Sequence, residues 1–528
     1  MLSKGNYAWA EVRASRLLVI VAFTALVGML LFPSVASAQT LFVDDDAPAG
    51  GNGTSWSTAC RHLQDALAAA LSNTTVTEIR VAAGTYTPDM DEAGTITPAD
   101  QTASFTPRSG LILRGGYRGL SVGGDPNERS VGTFLSVLSG DLNGDDGTVG
   151  RTDNSCHVVS FGGVDATAVL EGFVISGGNA VGCSNSNGGG VFNEGGSPTI
   201  INCTFNGNTA DMGGGLANEL FVSPVLVNCA FSGNGAQYGG ALYNALLTSP
   251  SLTNCTVSGN RASLGGGVYN VNNSATLANC ILWGNVDDTG SGEFAQIYDD
   301  LGVSQVTFSC IQDDDPNDGN IPFGGAVNGN IDDNPLFVRD PNPGPDGNWD
   351  GVQDDFGDLY LQDAAPCIDA GDDTSVPADG TDLDGDGDTV ERIPFDLRGK
   401  RRFVDHPSTA DTGIADPPTY TAVVDMGALE HQTPPKPGDI DGDGDVDLDD
   451  YAAWEACMTG PDTTPPDGCQ GKSLDGDSDV DLADYAMFQT MFNESTVPPT
   501  PVGDPADMDR DGDVDLPDYA ILTANFPA

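Results

Sequence analysis

The residues best suited to chemistry are aspartates near the C-terminal end of this 528-residue chain. Asp439, Asp441, Asp443, Asp447 and Asp450 fall at positions 1, 3, 5, 9 and 12 of one loop, with Gly444 at position 6 and the carbonyl of Asp445 at position 7. Calcium takes about six to eight hard oxygens at about 2.4 Å, and this spacing lets one short loop gather them around a sharp turn at the glycine. The loop recurs at 473 and at 507, a period of 34. The last copy offers Asp507, Asp509, Asp511, the carbonyl of Asp513, Asp515 and Asp518, with Gly512 at the turn. The middle copy offers Asp475, Asp477, the carbonyl of Asp479, Asp481 and Asp484, but Ser473 and Ser478 occupy positions 1 and 6. It should bind more weakly. Ca2+ is the cofactor these residues imply. Residues 438–528 hold 23 acidic and two basic side chains, and acids scattered at random would not keep this register three times.

The elements that position such loops follow from the periodicity. Each loop feeds a segment with apolar and aromatic residues, Tyr451–Trp454, Tyr485–Phe488 and Tyr519–Leu522. Upstream, Thr433–Pro437 reads as a stiff linker. Before it lies a second repeat. Gly189-Gly190-Val191-Phe192-Asn193 recurs as Gly214 to Asn218, Gly240 to Asn244 and Gly266 to Asn270. In phase with it runs Asn202-Cys203-Thr204-Phe205-Asn206-Gly207-Asn208, then Asn228 to Asn234, Asn254 to Asn260 and Asn279 to Asn285. Units this short, rich in Gly and Asn, fit coils of a β-solenoid rather than a helical repeat. Stacking turns each interior position into a column: Cys203, Cys229, Cys255 and Cys280, then Phe205, Phe231, Val257 and Leu282. Phe173 and Cys310 are expected to extend the first column. The turn residues Asn208, Asn234, Asn260 and Asn285 can bond along the stack as a ladder. The Cys column reads as packing, because free Cys behaves as a small buried hydrophobe.

The formal charge is −57 and Lys is absent between Lys4 and Lys400. That excludes nucleic acid as a partner, since displacing phosphate counterions takes Lys and Arg. Lys4, Arg13 and Arg16 precede an apolar run from Leu17 to Phe32, and Ala36-Ser37-Ala38 gives a small-x-small cleavage site. This is an export signal over 1–38, too short for a membrane span, leaving a mature chain from Gln39 that is secreted or held at the cell surface without a span of its own.

The Gly-Gly-x-apolar and Phe-x-x-Asn elements resemble the secreted bacterial right-handed β-helix family, including the polymorphic outer membrane protein repeat. Phe205-Asn206-Gly207-Asn208 and Phe231-Ser232-Gly233-Asn234 match, while Val257 and Leu282 depart from the pattern. Phe42-Val43-Asp44, Thr54-Ser55-Trp56, Leu63–Leu67 and Val81–Tyr86 look like the family's N-terminal cap, with a capping helix over 58–71. Pro366–Asp372 and Asp425–Glu430 look like its closing motifs. The tail resembles a type I dockerin, an EF-hand-like module with Asp at position 12, although dockerins usually carry two loops and this chain has three. The implied architecture is all-β, a right-handed parallel β-helix with a small α-helical dockerin-like C-terminal domain. The domains run 1–38, 39–160 (cap and first rungs), 161–312 (regular coils), 313–430 (last rungs and cap), 431–437 (linker) and 438–528 (calcium repeats).

Function follows less directly. A pectate-lyase-type reaction needs a cationic base, and between Arg151 and Arg339 only Arg261 offers one. A glycosidase needs two converging carboxylates. The rungs offer Asp165, Glu171, Glu194, Asp211, Glu219, Asp287 and Asp288, with only Asp287-Asp288 adjacent. His157 reads as a packed histidine. Asp382-Leu383-Asp384-Gly385-Asp386-Gly387-Asp388 opens like a calcium loop but has Ile393 at position 12, and Asp141-Leu142-Asn143-Gly144-Asp145 is shorter still. Cys457 and Cys469 could close a small disulfide. The leading expectation is a non-enzymatic calcium-binding surface, adhesion or carbohydrate-binding protein, whose tail docks on a cohesin-like protein or envelope component. The rival is a β-helix lyase or glycoside hydrolase acting on polysaccharide. Calorimetric titration of residues 436–528 should find at least about two calcium ions and a chelator-reversible gain of helix; no uptake would remove the calcium assignment.

Overall fold

A computed structural model describes residues 38–432, apart from 121–122, 147–149, 315–320, 350–352, 407–408 and 416–422. The segments expected to be an export signal, a Pro-rich linker at Thr433–Pro437 and calcium loops, and the Cys457–Cys469 pair, lie outside the described residues. Three parallel sheets of nine, eight and six strands run the length of the stack. A regular coil contributes one short strand to each, for example Thr199–Ile201, Thr204–Asn206 and Leu216–Glu219. This is the parallel β-solenoid that the period implied. Among the described residues no helix is long and apolar enough to cross a membrane.

Register makes the columns. Ile200, Leu226, Leu252 and Leu277 face one another in the first sheet. Phe205, Phe231, Val257 and Leu282 do so in the second, and Leu216, Leu242, Val268 and Ile297 in the third. All are buried in one continuous core. Stacking at β-sheet spacing puts like on like, so the Phe205 and Phe231 rings stack 4.3 Å apart and nearly parallel, at 5°. The repeat's glycines let the coils approach: a Cβ on Gly214 would sit 2.5 Å from the carbonyl oxygen of Gly235.

Two buried amide ladders run down the core. Asn208 donates to Asn234 (3.0 Å), Asn234 to Asn260 (2.9 Å) and Asn260 to Asn285 (2.9 Å). The same oxygens also accept the preceding coil's backbone N–H, as Asn234 Oδ1 does from Asn208 N at 3.1 Å. The other ladder, Asn193, Asn218, Asn244 and Asn270, ends on the carboxylate of Asp299. An acceptor-only group closes a chain of amides without leaving a donor unpaired. Between the first and second sheets, Asn202, Asn228, Asn254 and Asn279 turn the chain with φ of 50 to 53°, a conformation Asn tolerates.

The Cys column is packing, as expected. Cys203, Cys229, Cys255 and Cys280 are fully buried, each thiol lying within 3.2 to 3.4 Å of the carbonyl two residues earlier. Burial pushes the Cys203 thiol up to about 12. Cys310 does not extend the column. It aligns with Ile281, one position on, and Ser309 donates no thiol but accepts from the backbone N–H of Cys280 at 2.9 Å. Cys310 instead packs against Cys367 and Ile368 in a separate cluster. A disulfide that sequence spacing did not indicate joins Cys156 and Cys183. Tertiary folding brings their Cα atoms to 6.2 Å.

The N-terminal cap is present, its helix running Leu63–Ser72 rather than 58–71. Leu63, Ala66, Leu67 and Ala70 cover the first coils. Beyond residue 313 the chain departs from the expectation of further rungs. After the bridge between Cys310 and Ile331, Phe337–Arg339 and Asp358–Leu361 pair antiparallel. The chain then runs back outside the stack as a strap seated on the asparagine corner. Asn279 donates to Asp372 O (3.0 Å), Asn254 to Asp425 O (3.3 Å) and Asn228 to Phe395 O (2.7 Å). Asn234→Ala should lower stability by about 2–4 kcal/mol, because it strands buried donors and an acceptor on both neighbouring coils. Cys229→Ala should cost only about 1–2 kcal/mol. Urea midpoints of the two variants check the order.

Candidate ligand-binding cleft and carboxylate clusters

The second-to-third-sheet turns stack Thr209, Gly235 and Arg261 in register. Opposite them the strap's loop folds over the stack. Trp349 is buried and stacks on Phe356 at 5.7 Å, and the carbonyl of Phe356 accepts from Ser232 at 2.9 Å. Glycine permits this approach, since a Cβ on Gly233 would meet the Phe356 ring at 2.6 Å. Between turns and loop lies a cleft of about 410 Å³ lined by Thr209, Arg261, Ser263, Asp288, Asn348 and Trp349 among others. Arg261 is exposed, with Nη1 3.2 Å from the carbonyl of Gly347. A guanidinium, a carboxylate, an amide, hydroxyls and an indole edge together suit a hydroxyl-rich ligand. A second groove, about 470 Å³ under the strap between Ile112, Val169, Ile201 and Ile393, has no charged lining residue. It is the less apt place for polar recognition.

The expected acids go to different fates. Glu171 is buried between Arg114 (2.9 Å) and Arg129, a structural triad. Asp165 accepts from Thr167, whose hydroxyl and N–H hold its carboxyl low. Asp287 is buried and spends Oδ1 on Thr289, so of the adjacent pair only Asp288 reaches the cleft. Stacking makes a pair that the reading of the sequence did not connect although it keeps the repeat's period: Glu194 and Glu219, 25 residues apart, are direct cross-strand neighbours. Burial, and then the charge of Glu194, raise the Glu219 carboxyl against a 2.8 Å bond from Asn187. Beside Glu219 runs an aromatic file on the outer face of the third sheet, Phe192, Tyr243, Tyr269 and Tyr298. His157 caps it, stacked on Phe192 at 5.2 Å with Nδ1 2.9 Å from the carbonyl of Gly188. Burial holds its pKa down, as a packed histidine requires.

All the aspartates expected to hold calcium, from Asp439 to Asp518, lie outside the described residues. Within them, the loop after Asp379 gathers Asp382, Asp384 and Asp386, and also Asp379, Asp384 and Glu391, with ligand oxygens within 4.8 Å of one another. Ile393, at position 12, is no ligand; it packs on Val169, Ile201 and Val227. Glu391 joins the acids instead, and burial followed by Asp384 and Asp386 raises it to about 7. Such a cluster can hold a hard divalent cation. The shorter run is a self-capped turn, with Asp141 accepting from Gly144, Asp145 and Asp146.

The closing motifs prove structural. Arg402 is fully buried, donating to Asn228 Oδ1 (2.7 Å) and the carbonyls of Gly427 and Ala428, and pairing with Glu430 at 3.4 Å. Asp425 accepts from Asp369 N (2.8 Å) and His431 N (2.6 Å). Burial raises Asp425 to about 8 and Asp369 to about 7.

No family model matches this chain, and no curated protein matches it. Among solved structures it is similar to the crystal structure of pectate lyase Pel9A, at 13% identity and a TM-score of 0.35, over 75% of this chain and 98% of that one. That likeness concerns the fold and decides nothing about activity.

Acids whose pKa is higher folded than unfolded favour the fold most below their unfolded value, and that advantage is lost as pH rises through the folded value. For Asp369 and Asp425 the loss runs from the ordinary aspartate range up to about 7 and about 8. In chelator, the melting temperature of Asp369→Asn should therefore exceed that of the parent by roughly 1–3 °C near pH 8 and match it below about pH 4. A constant difference across pH would refute the assignment.

Proposed function

We propose that this protein is an exported polysaccharide-binding β-helix, whose acidic C-terminal repeats fold around calcium and dock on a cohesin-like or envelope component. The observation that carries the reading is the Arg261–Trp349 cleft. It places hydrogen-bond donors and acceptors together over a buried indole at the edge of a rigid stack, in a chain otherwise poor in cations. A long right-handed rod repeats its turns at sheet spacing, which suits a polymer better than a compact ligand. The tail's role rests on the loop register alone, and export rests on the N-terminal pattern.

A second reading, degradation of the bound polysaccharide, draws on one specific observation. Glu219, raised, and exposed Glu194 are neighbouring carboxylates. Two carboxylates, one of them raised by burial, are the kind of pair a glycosidase uses.

Affinity electrophoresis across an acidic and neutral polysaccharide panel, with calcium, tests both. Retention without products is expected, weakened at least about tenfold by Arg261→Ala, the loss of roughly one charged hydrogen bond. Retention that ignores Arg261→Ala removes the cleft from the reading. Release of reducing ends or unsaturated uronates, abolished by Glu219→Gln with retention intact, would favour the enzyme.

A further inference from the structure

We propose that Asp363, His406 and His431 form a binding site for a zinc-class divalent metal, which fastens the end of the strap. Three segments far apart in sequence each bring one ligand atom, and the three atoms lie within 4.8 Å of one another. Nε2 of His431 stands 3.1 Å from Oδ1 of Asp363. Two ligands of a tetrahedral zinc ion are about 3.3 Å apart when their bonds are about 2.0 Å, so this edge is already at metal-site length. The His406 and His431 rings lie 4.8 Å apart and almost perpendicular at 83°. Edge-on rings can direct nitrogens to a common point where stacked rings cannot.

His406 has the surroundings of a metal histidine. The hydroxyl of Thr409 lies 2.7 Å from Nδ1 of His406, a partner on the second ring nitrogen that orients a ligating imidazole. The backbone of His431 is fixed by its 2.6 Å bond to Asp425. Both rings are buried, at 6% and 7% exposure, whereas the Asp363 side chain is 91% exposed. One side of the site is thus open to solvent, which supplies an entry path and a position for water. Nδ1 of His431 is buried with no hydrogen-bond partner. His157, by contrast, is satisfied by Gly188.

Two imidazoles and a carboxylate select borderline metals such as zinc or cobalt. Calcium prefers oxygen alone. The site therefore discriminates against the cation the acidic tail is suited to. Its place suggests its work: His431 stands two residues before Thr433–Pro437, so a metal here would pin the strap where the chain leaves the β-helix.

The test uses the full chain, stripped with chelator and held in excess calcium so that the acidic loops are saturated, then titrated with cobalt(II). The expected result is a visible d–d absorption that saturates at one equivalent and is displaced by zinc, with a zinc-dependent rise in melting temperature. Asp363→Asn, on an exposed side chain that cannot unfold the protein, should weaken cobalt binding at least about tenfold. His406→Gln with His431→Gln should abolish it. No d–d signal in the parent chain, or a signal unchanged in Asp363→Asn, would overturn the proposal whether or not the double variant folds.

Discussion

Everything in the described part of this molecule depends on one constraint, that each coil must lie in register on the last. A slip of a single residue would turn Phe205, Leu216 and Ile200 outward and bring their polar neighbours in. Hydrophobic columns penalise such a slip but do not by themselves fix position along the strand. The asparagine ladders do. Each amide must meet the next coil's amide and the preceding coil's backbone N–H, so a misregistered coil leaves several buried polar groups unpaired at once. The fold is held by burial and specified by these hydrogen bonds.

The strap extends the same logic to the outside. The corner asparagines that turn the chain between sheets also offer amides outward, and the strap's backbone takes them up at 2.7 to 3.3 Å. Its own carboxylates then find themselves in a place with little solvent. Arg402 neutralises part of that charge, and the rest is managed by raised pKa values at Asp369 and Asp425. In a chain of net charge −57, Glu171, wholly buried against the stack, is held by two arginines.

Function gathers where regularity fails. The coils are too alike to make a distinctive site, and the polar clusters that differ from them lie at the loop that crosses the turn stack and at the end of the strap. Arg261 is selected by its column, in which Thr209 and Gly235 leave space around it, and by the Trp349 loop that comes back to it from nearly ninety residues downstream. Both the cleft and the Asp363–His406–His431 cluster are assembled by the departure from simple stacking.

The repeat was legible in the sequence because a solenoid is quasi-one-dimensional: each position meets its own equivalent one period away. Period, Cys packing, aromatic column and the ladder of Asn208, Asn234, Asn260 and Asn285 all followed from that. The spacing of the aspartates in the tail is readable for a similar reason, that each loop carries its own candidate oxygens, and it lies outside the described residues. Cys310 was placed one step wrong because the spacing lengthens after Leu282 and the column has no other mark there. The Glu194–Glu219 pair, one period apart, could have been read from the repeat, but the Cys156–Cys183 disulfide and the strap's course could be fixed only by tertiary structure. They join residues whose separation in sequence carries no period, and the energy that decides them, hydrogen bonding to the corner asparagines and burial of Arg402, exists only once the stack is built.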